Sequence, residues 1–386
     1  MLRIALLCTL LLTALTGCTP DGNAAHEARF AAVLDSLVVE YGLIGATAAY
    51  VLPDGTPGRA VAGVADATTG AAMPPDARMI TGSIGKTWVA AVALMLAHEG
   101  KLDLDAPLSD CLGDRPWFDR LPNGGLITLR HCLRHEAGVP DHIETDRFVE
   151  EVSAKVVGGE DPDFAFEHEY LLSFIFDREP VHEPGAGWHY TDTHYFLVGL
   201  AIESVTGRRY DDLVRERLLE PLGLEDTDPT DRRALPRLVA GHPDPENPFG
   251  LGVTVTEAPG LMAHNPALEW TGGGIVSTSS DLARWAKLLY EGRAFDADYV
   301  DELLDGVAMD EADPGAGAYG LGAFVESSSL GPKYGHTGWY PGYHSLVAYY
   351  AEGGFAIALQ INRDYDTHLR AIAAVLAETV SARLRP

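Results

Sequence analysis

Ser83 and Lys86 stand three residues apart in Ser83-Ile84-Gly85-Lys86, where a loop runs into a strongly apolar stretch. On a helix that spacing puts both side chains on one face, so the lysine nitrogen can reach the hydroxyl. A serine hydroxyl is a weak nucleophile until a base takes its proton, and a desolvated lysine can be that base. A helix N-terminus at the same point favours a developing anion. A serine N-cap followed by a solvated lysine has the same spacing, so the motif alone decides little. The apolar flanks favour chemistry, because a lysine beside a buried helix needs a reason to be there. A second candidate is Tyr190-Thr191-Asp192. A tyrosine where a loop enters a helix can move protons if nearby cations lower its pKa, and a packed tyrosine with an N-capping aspartate is the plainer alternative. The third is His336-Thr337-Gly338. A glycine on an edge strand admits a ligand's backbone and Thr337 offers a hydroxyl; a strand ending in a turn is the alternative.

Several elements must hold these residues. Apolar residues at helical spacing from Glu27 to Tyr41, stopped by Gly42, predict a first helix. Ala46 to Leu52 and Arg59 to Val64 flank the turn Pro53-Asp54-Gly55 and predict a hairpin. Ser83 to Glu99 is apolar almost all round, the pattern of a central buried helix, and Gly100 stops it. Helices are predicted at Tyr195 to Val205, Tyr210 to Leu219 and Ser280 to Tyr290. Strands follow at Gly320 to Glu326, Lys333 to His336, Tyr343 to Ala351 and Phe355 to Ile361, then a helix over about His368 to Leu384. Strands at both ends around a helical middle imply that the two ends build one sheet.

Taken together, in this order and these contexts, the three motifs resemble those of the serine β-lactamase and penicillin-binding-protein superfamily. Tyr-x-Asp near the usual Tyr-x-Asn, and His-Thr-Gly, are most similar to the class C β-lactamase-like branch of D-alanyl-D-alanine carboxypeptidases, D-aminopeptidases and esterases. Supporting stretches are Glu99 to Pro107, Ile127 to His135, Glu220 to Leu224 and Gly272 to Thr278. The resemblance implies an α+β fold of the β-lactamase/transpeptidase type, an antiparallel sheet flanked by helices plus an all-helical domain. The expected division is residues 27–82 with 271–386 for the sheet domain and 83–270 for the helical one, the active site lying at their junction. It also implies that Ser83 becomes acylated, that Lys86 and Tyr190 share the proton work, and that the backbone amides of Ser83 and Trp339 form the oxyanion hole. Asp192, His336, Thr337 and Gly338 would bind substrate, and no metal or cofactor would be needed.

Two departures bear on specificity. Asp192 stands where the family usually has asparagine, and a carboxylate there would hold Lys86 as ammonium, making it a poorer base and shifting the burden to Tyr190. His336 replaces the lysine of β-lactamases and is mostly neutral at pH 7. Such a groove is less welcoming to a substrate carboxylate. The expectation is an ester, or a substrate with a free amine near the scissile bond, ahead of penicillins. A catalytically inactive, envelope-anchored binding protein of the same fold is the alternative, and Asp192 is its best support.

The 386 residues allow one large or two ordinary domains, and 46% hydrophobic content fits a packed chain. With 28 basic against 56 acidic residues the net charge is −28, which repels phosphate backbones and argues against nucleic acid as a partner. Arg3 followed by the apolar run Ile4 to Leu15 reads as an export signal, too short to span a bilayer. Leu15-Thr16-Gly17-Cys18 resembles a bacterial lipobox, which implies a signal peptide over 1–17, a lipid anchor on Cys18 and a flexible tether over 18–26; an ordinary secretory signal is the alternative. The expected location is the bacterial cell envelope, and the expected partners are a small-molecule or peptidoglycan-derived peptide substrate and the membrane. Cys111 and Cys132 would then sit in an oxidising compartment, either as a disulfide or as buried free thiols. Thr81 to Gly85 misses the α/β-hydrolase Gly-x-Ser-x-Gly at its first residue, and His135-Glu136 lacks the second histidine of a zinc protease.

Overall fold

A computed structural model describes residues 22–310 and 312–385; the expected signal peptide and the expected anchor Cys18 lie outside the described residues. Among those described, nine strands form one antiparallel sheet. They are β1 (Gly45–Val51), β2 (Pro57–Asp66), β3 (Ala71–Ala72), β4 (Val307–Ala308), β5 (Ala318–Tyr319), β6 (Phe324–Ser328), β7 (Gly331–Tyr340), β8 (Tyr343–Tyr350) and β9 (Phe355–Ile361). Their order is β3-β2-β1-β9-β8-β7-β6-β5-β4, so β1 from the start of the chain pairs with β9 from its end.

Side-chain alternation sorts the sheet's two faces. Ala46, Ala48 and Tyr50 of β1, Leu346 and Ala348 of β8, and Ile357 and Leu359 of β9 pack on one face. They meet helices α1 (Gly22–Glu40) and, at the end of the chain, Leu369–Leu384, which also touch each other. Ala49, Val347, Ala356 and Ala358 face the other way, into a larger core. That core holds α2 (Lys86–His98), α3 (Asp192–Thr206) and α4 (Ser279–Tyr290), while the helix Leu369–Leu384 under the other face is α5. Trp88 of α2 and Trp285 of α4 stack at its centre, ring centroids 4.8 Å apart.

The structure revises several expectations. The tether does not reach residue 26, because α1 already begins at Gly22. The reason is tertiary: Arg383 of α5 donates to Asn23 at 2.6 Å, and the His26 ring packs edge-on against Tyr50. Cys111 and Cys132 are both free thiols. Cys132 points into the main core while Cys111 is half-buried at its rim, and burial raises both thiol pKa values. The strand predicted over Gly320 to Glu326 is broken into β5 and β6. Gly322 takes a φ of +71° between them, and a Cβ there would lie 2.8 Å from the Lys86 carbonyl oxygen.

Candidate active site

Ser83 sits in a 3-10 turn, Gly82–Gly85, directly ahead of α2, so the nucleophile candidate precedes the α-helix rather than starting it. This turn lies against β7 with almost no space between the backbones. A Cβ on Gly338 would come within 1.9 Å of the Thr81 carbonyl oxygen, and one on Gly82 within 2.6 Å of the Trp339 nitrogen. Gly338 is therefore needed for the approach of the chain's own 81–83 segment. The same contact brings the Ser83 and Trp339 amides to one spot, since the Gly338 Cβ would also lie 2.9 Å from the Ser83 nitrogen. Strand β7 is interior to the sheet, but β6 pairs with it only through Gly335, leaving His336 to Tyr340 paired on one side.

Register decides which side chains of β7 face the cleft. Thr337 pairs with Leu346, whose side chain belongs to the layer under α1 and α5. It shares that face of the strand and is not among the residues lining the cleft. His336 pairs with Val347 and faces the main core. Its Nδ1–H donates to the Thr337 carbonyl at 2.5 Å, and its Nε2 accepts from the Tyr319 hydroxyl at 2.9 Å. Burial, with the Lys86 charge, lowers its pKa to about 3, so the ring is neutral. Trp339 is 49% exposed at the mouth.

Lys86 is fully buried and makes three hydrogen bonds: to the Ser83 hydroxyl at 3.1 Å, to the Gly272 carbonyl at 2.5 Å, and to the Asp192 carboxylate in a tight ion pair. Its nitrogen also lies 5.0 Å from the centre of the Tyr190 ring. Burial alone would pull the lysine pKa down, but Asp192 and Tyr190 outweigh it and the net shift is upward. Burial pushes the Tyr190 phenol up to about 12, more than Lys86 pulls it down. Both groups therefore keep their protons at neutral pH, so the burden that Asp192 takes from Lys86 does not pass to a ready phenolate.

Thr191, not Asp192, caps α3: its side chain accepts from the Thr193 N–H, which leaves Asp192 in the first helical turn and free to pair with Lys86. Three carboxylates surround the lysine where the sequence motifs revealed one. Asp141 accepts from the Asp192 N–H at 3.1 Å, and Glu269 lines the same cleft. Burial and the Asp192 charge raise the pKa of both. Neither carries a local signal, since each stands alone in a loop, and Gly272 contributes only a carbonyl. His135 was another residue whose role the sequence did not reveal. Its carbonyl accepts from the His189 N–H at 2.9 Å, its Nδ1 accepts from the Thr191 N–H at 3.3 Å, and its ring packs 4.2 Å from that of Tyr190.

Ser83, Tyr190 and Asp192 open on a cleft of about 470 Å³. Its far wall is apolar, with Phe148, Val152, Val156, Phe249, Leu251 and Met262. Among the described residues no cluster of three or more His, Cys, Asp or Glu side chains is arranged to hold a metal ion.

Comparison with known proteins agrees with this architecture. The family model described as Beta-lactamase matches residues 30–380. A penicillin-binding protein of Bacillus subtilis (strain 168) is 23% identical over 77% of this chain, which spans 63% of that protein's length. Esterase EstB of Burkholderia gladioli is 28% identical, with 78% of each chain covered. The crystal structure of a D-stereospecific amidohydrolase from Streptomyces sp. superposes with a TM-score of 0.74 at 28% identity, covering 88% of this chain and 95% of that one.

Proposed function

The chain belongs to the β-lactamase family, and as a serine hydrolase of that family, we propose, it cleaves an ester or amide through an acyl-enzyme on Ser83. The observation that carries this reading is the 3.1 Å hydrogen bond between Lys86 and the Ser83 hydroxyl at the floor of the cleft, with Tyr190 beside it. The active form is the one in which the Lys86–Tyr190 pair has lost one proton. The Ser83 oxygen attacks the carbonyl as its proton passes to that pair, and the same proton goes on to the departing alcohol or amine. Water then attacks the acyl carbonyl, giving a proton to the pair; the acyl carbon's bond to the Ser83 oxygen breaks, and that proton passes to the serine oxygen as the acid leaves. The Ser83 and Trp339 amides hold the developing oxyanion; one such donor is typically worth about 3 to 4 kcal/mol.

The acyl group is that of a D-amino acid, its peptide or an ester, as the kinship with a D-stereospecific amidohydrolase and an esterase suggests. Penicillins are poor substrates, because the neutral His336 leaves their carboxylate without a cation. The enzyme works in the bacterial envelope, tethered by a lipid on Cys18, a reading that rests on Leu15 to Cys18. Incubation with a fluorophosphonate followed by mass spectrometry should give an adduct on Ser83 that Ser83→Ala abolishes. Repeated absence of any adduct would instead favour a non-catalytic binding protein. In a panel of a nitrophenyl ester, a D-amino-acid amide and a chromogenic cephalosporin, fastest turnover of the cephalosporin would overturn the specificity.

A further inference from the structure

All the Asp, Glu, Lys and Arg side chains on the cleft wall are acidic: Asp141, Glu144, Asp192 and Glu269, with neither lysine nor arginine among the lining residues. Three of the four are accounted for. Asp192 is paired with Lys86. Asp141 accepts from the Asp192 N–H at 3.1 Å, the Ile143 N–H at 3.3 Å and the Thr193 hydroxyl at 3.4 Å. Glu144 is exposed. Glu269 is different: it is partly buried, and among the described residues its carboxylate has no hydrogen bond and no ion pair. A carboxylate withdrawn from water without a partner is costly, and burial with the Asp192 charge raises its pKa, so unpaired the group holds its proton and a cation beside it would favour the charged form.

The backbone holds this group in place. Glu269 precedes Trp270, which sits at a φ of +35°, a conformation that a bulky residue adopts only when its surroundings impose it. The Trp270 ring is clamped by His168, stacked at 3.7 Å, and the turn it makes carries the Gly272 carbonyl onto Lys86. The backbone of Glu269 is thus held three residues from an anchor of the catalytic lysine, with the apolar wall of Phe148, Val152, Phe249 and Leu251 sharing its cavity.

We propose, resting on the acyl-enzyme reading above, that Glu269 binds the ammonium group of the substrate, and that this substrate is an ester or amide carrying a protonated amine beside a large apolar group. The cation completes the one carboxylate that the chain leaves unpaired, and the cavity of about 470 Å³ takes the apolar part.

The test compares D-phenylalanine methyl ester with methyl 3-phenylpropanoate, the same skeleton without the amine, followed by pH-stat for the full chain and for Glu269→Gln. The unmodified enzyme should favour the amine-bearing ester at least tenfold in kcat/KM. Glu269→Gln should shrink that ratio at least tenfold, mainly through KM for the amine. An unchanged ratio, with both esters still hydrolysed, overturns the role of Glu269 and leaves the acyl-enzyme reading standing. Absence of Ser83-dependent hydrolysis of either ester overturns both. A measurement on the unmodified enzyme guards against misfolding of the variant: 2-phenylethylammonium should inhibit at least tenfold more tightly than 3-phenylpropanoate, and the reverse order refutes the assignment.

Discussion

Replacing Asp192 by asparagine tests the electrostatics of the site most directly, because the fully buried Lys86 ammonium is held against burial by that carboxylate. At about 4 Å and an effective dielectric near 20, an ion pair is worth about 4 kcal/mol, or about 3 pKa units. Measured opposite-charge effects span about 1–3 units. With the charge gone, desolvation is opposed only by Tyr190 and Glu269, and the Lys86 pKa falls. Because the base must be unprotonated, the rising alkaline limb of kcat/KM should move to lower pH by about 1–3 units, and kcat/KM at pH 7 should rise by about tenfold or more. Stability moves the opposite way. In the parent the folded pKa of Lys86 lies above the unfolded value, so its contribution is present at neutral pH and lost only as pH rises through the folded value. In Asp192→Asn the folded pKa falls back toward the unfolded one, so the variant should lose much of that contribution and melt lower than the parent at neutral pH. The assay is ester hydrolysis from pH 6 to 10.5, corrected for spontaneous cleavage, with thermal melts at each pH. A limb that stays in place in a folded variant would refute the claim that Asp192 holds the proton on Lys86.

Two further outcomes follow from the scaffold. His135→Leu removes the side-chain anchor of the segment carrying Tyr190, so kcat should fall about 10–100-fold while KM changes less than about threefold, and a KM effect alone would show that His135 does not position the phenol. Gly338→Ala drives a Cβ to 1.9 Å from the Thr81 carbonyl and must push the Ser83 turn away from β7. A stability loss of about 1–3 kcal/mol, measured by denaturant unfolding, should accompany slower acylation of Ser83 by a fluorophosphonate, and acylation at the parental rate would contradict the close contact.

The fold class was legible because its signals are periodic. The alternation in Phe355 to Ile361 and the all-round apolar Ser83 to Glu99 predict a strand and a central helix within a few residues of where β9 and α2 lie. The end of α1 was missed at Gly22 because its first turn is fixed by Arg383 and Tyr50, hundreds of residues or a whole hairpin away. Cysteine pairing was open for the same reason: two positions in a sequence do not fix the direction of two Cβ atoms.

In the site, the sequence by itself determined the chemical groups: a hydroxyl and an amine at helical spacing, a phenol, and a carboxylate in place of an amide. It also determined the sign of that carboxylate's effect on Lys86, since this follows from charge alone. Only the tertiary structure decided that Thr337 shares a face with Leu346 and His336 with Val347, because a strand's register with its neighbour selects the face. It likewise decided that the phenol is as firmly protonated as the lysine, because desolvation depends on what surrounds a group. The carboxylates of Asp141 and Glu269 entered the cleft from loops far apart in the chain, and proximity through space leaves no mark in a linear order of residues.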